Sequence, residues 1–147
     1  MNKMTDQKNA LRRGIWWLRD PANPVLPPVA GSDYDSNCCM NPWVVRIDDD
    51  YRVYYSGADA KEKRRICMAQ APVEDPGNFV RHGVVLDRGE DGDFDYSWAV
   101  LPHVIKFPDK WHLYYSGNCG YGEGLSSFPG LGVAFSDDGI NFEKYEN

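Results

Sequence analysis

No stretch of the 147-residue sequence is apolar for long enough to cross a membrane, which takes about 18 residues or more. A basic stripe is also missing. The 16 Lys and Arg stand against 22 Asp and Glu, a formal net charge of −6, so no nucleic-acid partner is expected. The four cysteines, Cys38, Cys39, Cys67 and Cys119, make no Cys-x-x-Cys pair and have no histidine at a metal-ligand interval. They read as small thiols in a reducing compartment, with no metal and no cofactor implied. Met1 to Arg13 lacks the apolar centre of a secretory signal, and the expected location is cytoplasmic. Helix-period apolar runs are absent too, which excludes a helical solenoid.

What the chain has instead is aromatics and breakers: five Trp, nine Tyr, six Phe, ten Pro and fourteen Gly. That mixture suits many short strands separated by turns. The chain also repeats itself. Val25-Leu26 aligns with Val85-Leu86, Asp33-Tyr34-Asp35 with Asp93-Phe94-Asp95, Pro42-Trp43-Val44 with Pro102-His103-Val104, and Tyr54-Tyr55-Ser56-Gly57 with Tyr114-Tyr115-Ser116-Gly117. The offset is 60 throughout (85 − 25, 93 − 33, 102 − 42, 114 − 54). A fixed period of that size marks a chain built from repeated supersecondary units.

Within each repeat the pattern predicts four strands. In the first they are Trp43–Ile47, Tyr51–Ser56, Arg65–Gln70 and Asn78–Arg81; in the second, Val100–Phe107, Trp111–Ser116, Leu131–Ser136 and Ile140–Lys144. Turn residues punctuate them at Asp48-Asp49-Asp50, Pro108-Asp109-Lys110 and Asp137-Asp138-Gly139. Four antiparallel strands in about sixty residues describe one blade of a β-propeller. The expected fold is all-β, with a segment 1–22 followed by two blades, 23–82 and 83–147, of an incomplete ring.

These motifs resemble the five-bladed propeller glycoside hydrolases, the arabinanase, levansucrase and invertase group with families 43 and 32. The resemblance rests on Asn41-Pro42-Trp43-Val44, Tyr54-Tyr55-Ser56-Gly57, Gly132-Val133-Ala134-Phe135-Ser136 and Asp138-Gly139-Ile140-Asn141-Phe142, taken in order. Ser97-Trp98-Ala99 ahead of Pro102-His103-Val104 is similar to the opening of the second blade in family 43. The resemblance implies a carbohydrate ligand in a central funnel. It also implies a departure, because Asn41 stands where family 43 places its catalytic aspartate, and an amide cannot take a proton from water. The family's general-acid Glu sits in a third blade, which this chain does not reach.

Glycoside hydrolysis generally uses two carboxyl groups about 5 to 9.5 Å apart. Repeat-equivalent residues in adjacent blades are related by rotation about the propeller axis, so Asp35 and Asp95 are the candidate catalytic pair. Asp33, Asp93, Asn41, Trp43, Trp98, His103 and Arg65 are candidate substrate contacts. Each has a structural alternative. The Asp-aromatic-Asp segments also read as turns that cap backbone amides. His103 also reads as a partly buried strand residue standing where the first repeat has Trp43; Trp43, Trp98 and Tyr121 also read as core aromatics, and Arg65 as half of a surface ion pair. A non-catalytic carbohydrate-binding or assembly module is therefore the alternative to a hydrolase. Two blades leave sheet faces open, so the chain is expected either to self-associate into a ring or to belong to a longer protein.

Overall fold

A computed structural model describes residues 19–119 and 130–145; Met1–Arg13, Ile15–Leu18 and Tyr121 lie outside the described residues. Among those described there are eight strands and no helix: β1 (Cys38–Ile47), β2 (Asp50–Ala58), β3 (Arg64–Pro72), β4 (Val80–Leu86), β5 (Trp98–Lys106), β6 (Trp111–Asn118), β7 (Gly130–Ser136) and β8 (Glu143–Lys144). Pairing divides them into two antiparallel four-stranded meanders, β1–β4 and β5–β8, joined by one parallel bridge from Arg64 to Trp98. These are two propeller blades.

The blades are out of phase with the sequence repeat. The boundary between 82 and 83 falls inside β4, because Gly83–Leu86 continues the outer strand of the first blade. Its counterpart, Asn23–Leu26, is not a strand. The last strand is shorter than the pattern predicts. Asp138 Oδ1 accepts the backbone amides of Ile140 and Asn141 at 2.7 and 2.8 Å, which folds that stretch into a turn and withholds it from the ladder. The same two amides hold the Asp138 carboxyl well below its ordinary range.

The repeated Tyr-Tyr-Ser-Gly segment is legible residue by residue, since alternate strand positions face opposite sides. Tyr54 points forward into the second blade, where its hydroxyl donates to the Gly139 carbonyl at 2.7 Å and its ring meets Phe142 edge-on. Tyr55 points to the other side of the sheet. Ser56 Oγ accepts the backbone amide of Leu101 from the neighbouring blade at 3.0 Å. Gly57 leaves room for another chain segment: a Cβ there would sit 2.7 Å from the Tyr34 carbonyl oxygen.

The main core lies between the blades, where Tyr54, Ile66 and Met68 of the first meet Val104, Leu113 and Phe142 of the second. Burying each such side chain is worth about 1.5–3 kcal/mol, more than an interblade hydrogen bond at about 1 kcal/mol. A smaller cluster on the opposite face of the first blade gathers Val53, Tyr55, Cys67 and Ala69 under Leu26 and Phe79.

Candidate functional site

β1 and β5, the first strands of the two blades, break their ladders at the same repeat position. The register shifts between Met40 and Trp43 and between Val100 and His103. At these bulges Asn41 takes φ 53° and Leu101 takes φ 56°, a left-handed conformation that asparagine adopts readily and leucine only at a cost. The residue after each is a proline, which has no amide to give the ladder. Strained non-glycine backbone persists only where its surroundings hold it, and such positions cluster at ligand sites.

Just past the bulges the two strands meet. The Trp43 and His103 rings lie with centroids 3.6 Å apart and planes 30° from parallel, and Trp43 Nε1 donates to the Val104 carbonyl at 2.8 Å. Trp43 is half-buried, while Asn41, Leu101 and His103 are exposed. At the joint between the blades, Arg64 lies over the Trp98 ring at 4.7 Å and pairs with Glu62 at 3.2 Å.

Asp35 and Asp95 are buried, one in each blade, Asp95 at the floor of a cleft. Asp35 Oδ2 accepts the Tyr55 hydroxyl at 2.9 Å and pairs with Arg81 Nε at 2.9 Å, while its Oδ1 is buried without a hydrogen-bond partner. Asp95 Oδ2 accepts the Tyr115 hydroxyl at 2.9 Å and pairs with Lys144 Nζ at 2.7 Å. Both carboxylates are buried. Burial and the carboxylate neighbour push the Tyr55 and Tyr115 hydroxyls up, away from ionisation. Burial, then Asp35, pushes the Cys39 thiol up to about 11.

Of the remaining candidates, Arg65 donates to the Asp33 carbonyl at 3.3 Å, while Asp93 belongs to the second repeat. Asp33 lines a shallow cleft of about 480 Å³ with Gly31, Ser36 and Asn37. Asp93 lines a different one of about 330 Å³ with Phe94, Asp95 and Tyr145, and it also accepts the Glu90 amide. Arg65 is engaged by Asp59 and Asp87, each at 3.0 Å, the ion-pair arrangement. The structure therefore brings Asn41, Trp43 and His103 to one place and leaves the aspartates apart from it. Among the described residues no three His, Cys, Asp or Glu gather as a metal site, and no helix is long and apolar enough to cross a membrane.

Sequence reasoning did not single out Leu101, Arg81 or Lys144. The cations carry a signal that was present: they lie 46 and 49 residues after their aspartates (81 − 35, 144 − 95), and both follow an Asn-Phe pair by two residues. The strain at Leu101 carries none, since nothing in a leucine announces a positive φ.

Solved structures share this fold. Zg3597, a family 117 glycoside hydrolase of Zobellia galactanivorans, superposes with a TM-score of 0.65 at 21% identity, covering 83% of this chain and 36% of its own. A glycoside hydrolase described as putative, from Bacteroides ovatus, superposes with 0.66 at 20% identity, covering 86% and 39%. A family 32 β-fructofuranosidase of Bombyx mori, in complex with sucrose, superposes with 0.60 at 20% identity, covering 86% and 26%. The fold is that of the propeller glycoside hydrolases. The described strands correspond to part of such a propeller.

No family model matches the sequence. Two uncharacterized proteins of Mycobacterium tuberculosis, from strains CDC 1551 / Oshkosh and ATCC 25618 / H37Rv, are each 28% identical over 135 residues, covering 86% of this chain and 43% of theirs. The chain thus spans less than half the length of the curated relatives it matches.

Proposed function

We propose that the chain is part of a carbohydrate-binding propeller, in which a sugar rests against the bulged starts of β1 and β5. The observation that carries this reading is the coincidence of two exposed bulges, one of them strained at Leu101, with the Trp43–His103 stack. An amide at Asn41 and an imidazole at His103 offer donors and acceptors that match sugar hydroxyls, and a packed aromatic pair offers a firm amphipathic edge. Trp98 with Arg64 extends the same rim. The ring is completed by self-association or by the remainder of a longer chain.

Isothermal titration with arabino-, xylo- and fructo-oligosaccharides tests this reading. His103→Ala and Asn41→Ala are each expected to weaken binding by about 2- to 10-fold, the worth of one hydrogen bond. Affinity unchanged in both variants removes the bulges from the site.

A second reading, hydrolysis by the Asp35 and Asp95 pair, draws support from their repeat equivalence and from the fold. It requires two carboxyl groups open to one substrate. Here each is buried and holds a tyrosine hydroxyl and a cation, so the binding reading is the better supported. Aryl arabinofuranoside, xyloside and fructoside turnover separates the two. Turnover that disappears in both Asp35→Asn and Asp95→Asn, with the fold intact, favours hydrolysis.

A further inference from the structure

We propose that the joint between the blades binds an anionic group of a carbohydrate, a carboxylate or a sulfate ester, through Arg64 with Lys63 and Arg88 beside it. This rests on the sugar-binding reading and names the class of sugar.

The chain as a whole is acidic, with a formal net charge of −6, yet cations gather where β3 begins and where the chain enters β5. Arg64 lies over the Trp98 ring at 4.7 Å. Two residues earlier, the Tyr96 ring has Lys63 Nζ at 4.9 Å and the Arg88 guanidinium at 5.3 Å. An aromatic face attracts a cation but supplies no counter-charge. Among the described residues Lys63 and Arg88 pair with no carboxylate, and Asp59 and Asp87 are both held by Arg65. Glu62, on Arg64, is thus the one carboxylate paired with any of the three cations. All three are half-buried, so each has given up part of its hydration without full compensation. An arriving anion offsets that loss.

The hydrogen bonds of Arg64 tell the same story. A guanidinium carries five N–H donors. Nη2 meets Glu62 at 3.2 Å, Nη1 has only the Met40 sulfur at 4.0 Å, and Nε is buried without a partner. Arg88 Nε is buried without a partner too, while its Nη1 donates to the Tyr96 carbonyl at 2.6 Å. A planar fork stacked on a ring, with donors under-used, fits the paired oxygens of a carboxylate or sulfate. Glu62 shows that an acid can sit there. Its side chain is 59% exposed, its backbone holds φ 61°, and Asn37 Nδ2 donates to its other oxygen. An ion pair so exposed is weak, so a ligand acid can share the guanidinium or take it over.

Arg64 also stands beside the proposed sugar rim. Met40, which its Nη1 touches, is the residue before Asn41 of the first bulge. Met40 is the ladder partner of Ser56, whose Oγ accepts the amide of Leu101 in the second bulge. A sugar on the bulges therefore has the guanidinium within reach of its next substituent or its next unit.

Isothermal titration at low salt with glucuronate- and galacturonate-containing oligosaccharides, each beside its methyl ester, tests the charge alone. The ester keeps the sugar and removes the anion. A sulfated xylo-oligosaccharide beside the plain one distinguishes the sulfate from the carboxylate source. At least one acid is expected to bind about tenfold tighter than its neutral counterpart, with a gain that shrinks as salt is added. Arg64→Gln is expected to abolish the gain and leave the neutral sugar unaffected, and Arg64→Lys to restore part of it. Glu62→Gln, at an exposed position, removes the competing carboxylate and is expected to tighten the acid about 2- to 5-fold. An arginine that only braces the joint would instead weaken acid and ester alike on substitution and leave Glu62→Gln silent. Neutral sugars that bind while no acid gains overturn this inference alone. An acid preference that persists in His103→Ala and Asn41→Ala, with affinity unchanged, sinks the bulge reading and leaves this site standing. Absence of binding by every sugar overturns both.

Discussion

Trp43 and His103 stand 60 residues apart (103 − 43) at the same place in the repeat, and their rings pack at 3.6 Å. Equivalent residues of two repeats touch only when the units wind about a common axis near them. The contact puts β1 and β5 side by side, with Trp43 Nε1 reaching the Val104 carbonyl. It also explains why the bulges at Asn41 and Leu101 open onto the same region, since each lies two residues before its ring.

Leu101 holds φ 56° with half its side chain in solvent. Leu101→Gly removes a strain of about 1–3 kcal/mol and adds a chain-entropy cost of about 0.5–1 kcal/mol. The variant is expected to be as stable as the parent or more so by about 1 kcal/mol. A clear drop in the thermal midpoint refutes the assignment of strain.

The two buried sockets differ in how tightly they close. Asp35→Asn keeps the shape but strands Arg81, whose side chain is 22% exposed, and is expected to cost about 1.5–3 kcal/mol. Asp95→Asn is expected to cost less, because Lys144 at 30% turns more readily to water. Chemical denaturation of both variants checks the order. Equal stability to the parent in both denies the sockets a structural role.

Gly117 is tolerated for space and not for its backbone angle. A Cβ there would lie 2.6 Å from the Asp95 Cβ and 2.4 Å from the Phe94 ring. Gly117→Ala is expected to destabilise by about 1–3 kcal/mol. Gly130→Ala, 3.0 Å from the same ring, is the milder control. The two substitutions scoring alike in a thermal melt would contradict the contact.

Alkaline titration separates the tyrosines. Burial pushes the Tyr54 hydroxyl up to about 12 from an ordinary 10.0, and it pushes Tyr55 and Tyr115 up as well. A raised folded value means that the folded state holds the proton longer than the unfolded chain. The stability linked to it is whole below pH 10 or so and falls as pH climbs through the folded value. Phenolate absorbance is expected in two phases, exposed rings first and the buried three with unfolding. A single phase near 10 would show that these hydroxyls are not buried.

Much of this was fixed by the sequence. Alternation within Tyr-Tyr-Ser-Gly, the acidic turns and the constant offset determine the strands, the antiparallel blade and its repetition, because strand periodicity and turn chemistry act over a few neighbouring residues. Proline after Asn41 and after Leu101 marks where the first strand of each blade interrupts its ladder. Local chemistry also determines that the last strand yields to the Asp138 turn, although only the geometry of two accepted amides makes that visible.

Which side chains meet was decided by the tertiary structure alone. Asp35 and Asp95 have the same local sequence setting whether they face an open funnel or lie buried in their blades. The choice falls to Arg81 and Lys144, which reach them from the far ends of their blades. Likewise nothing local distinguishes Tyr54 from Tyr114. One is buried and the other is not, because exposure depends on whether another blade stands in front of it, and that is a property of the assembled ring and not of the residue.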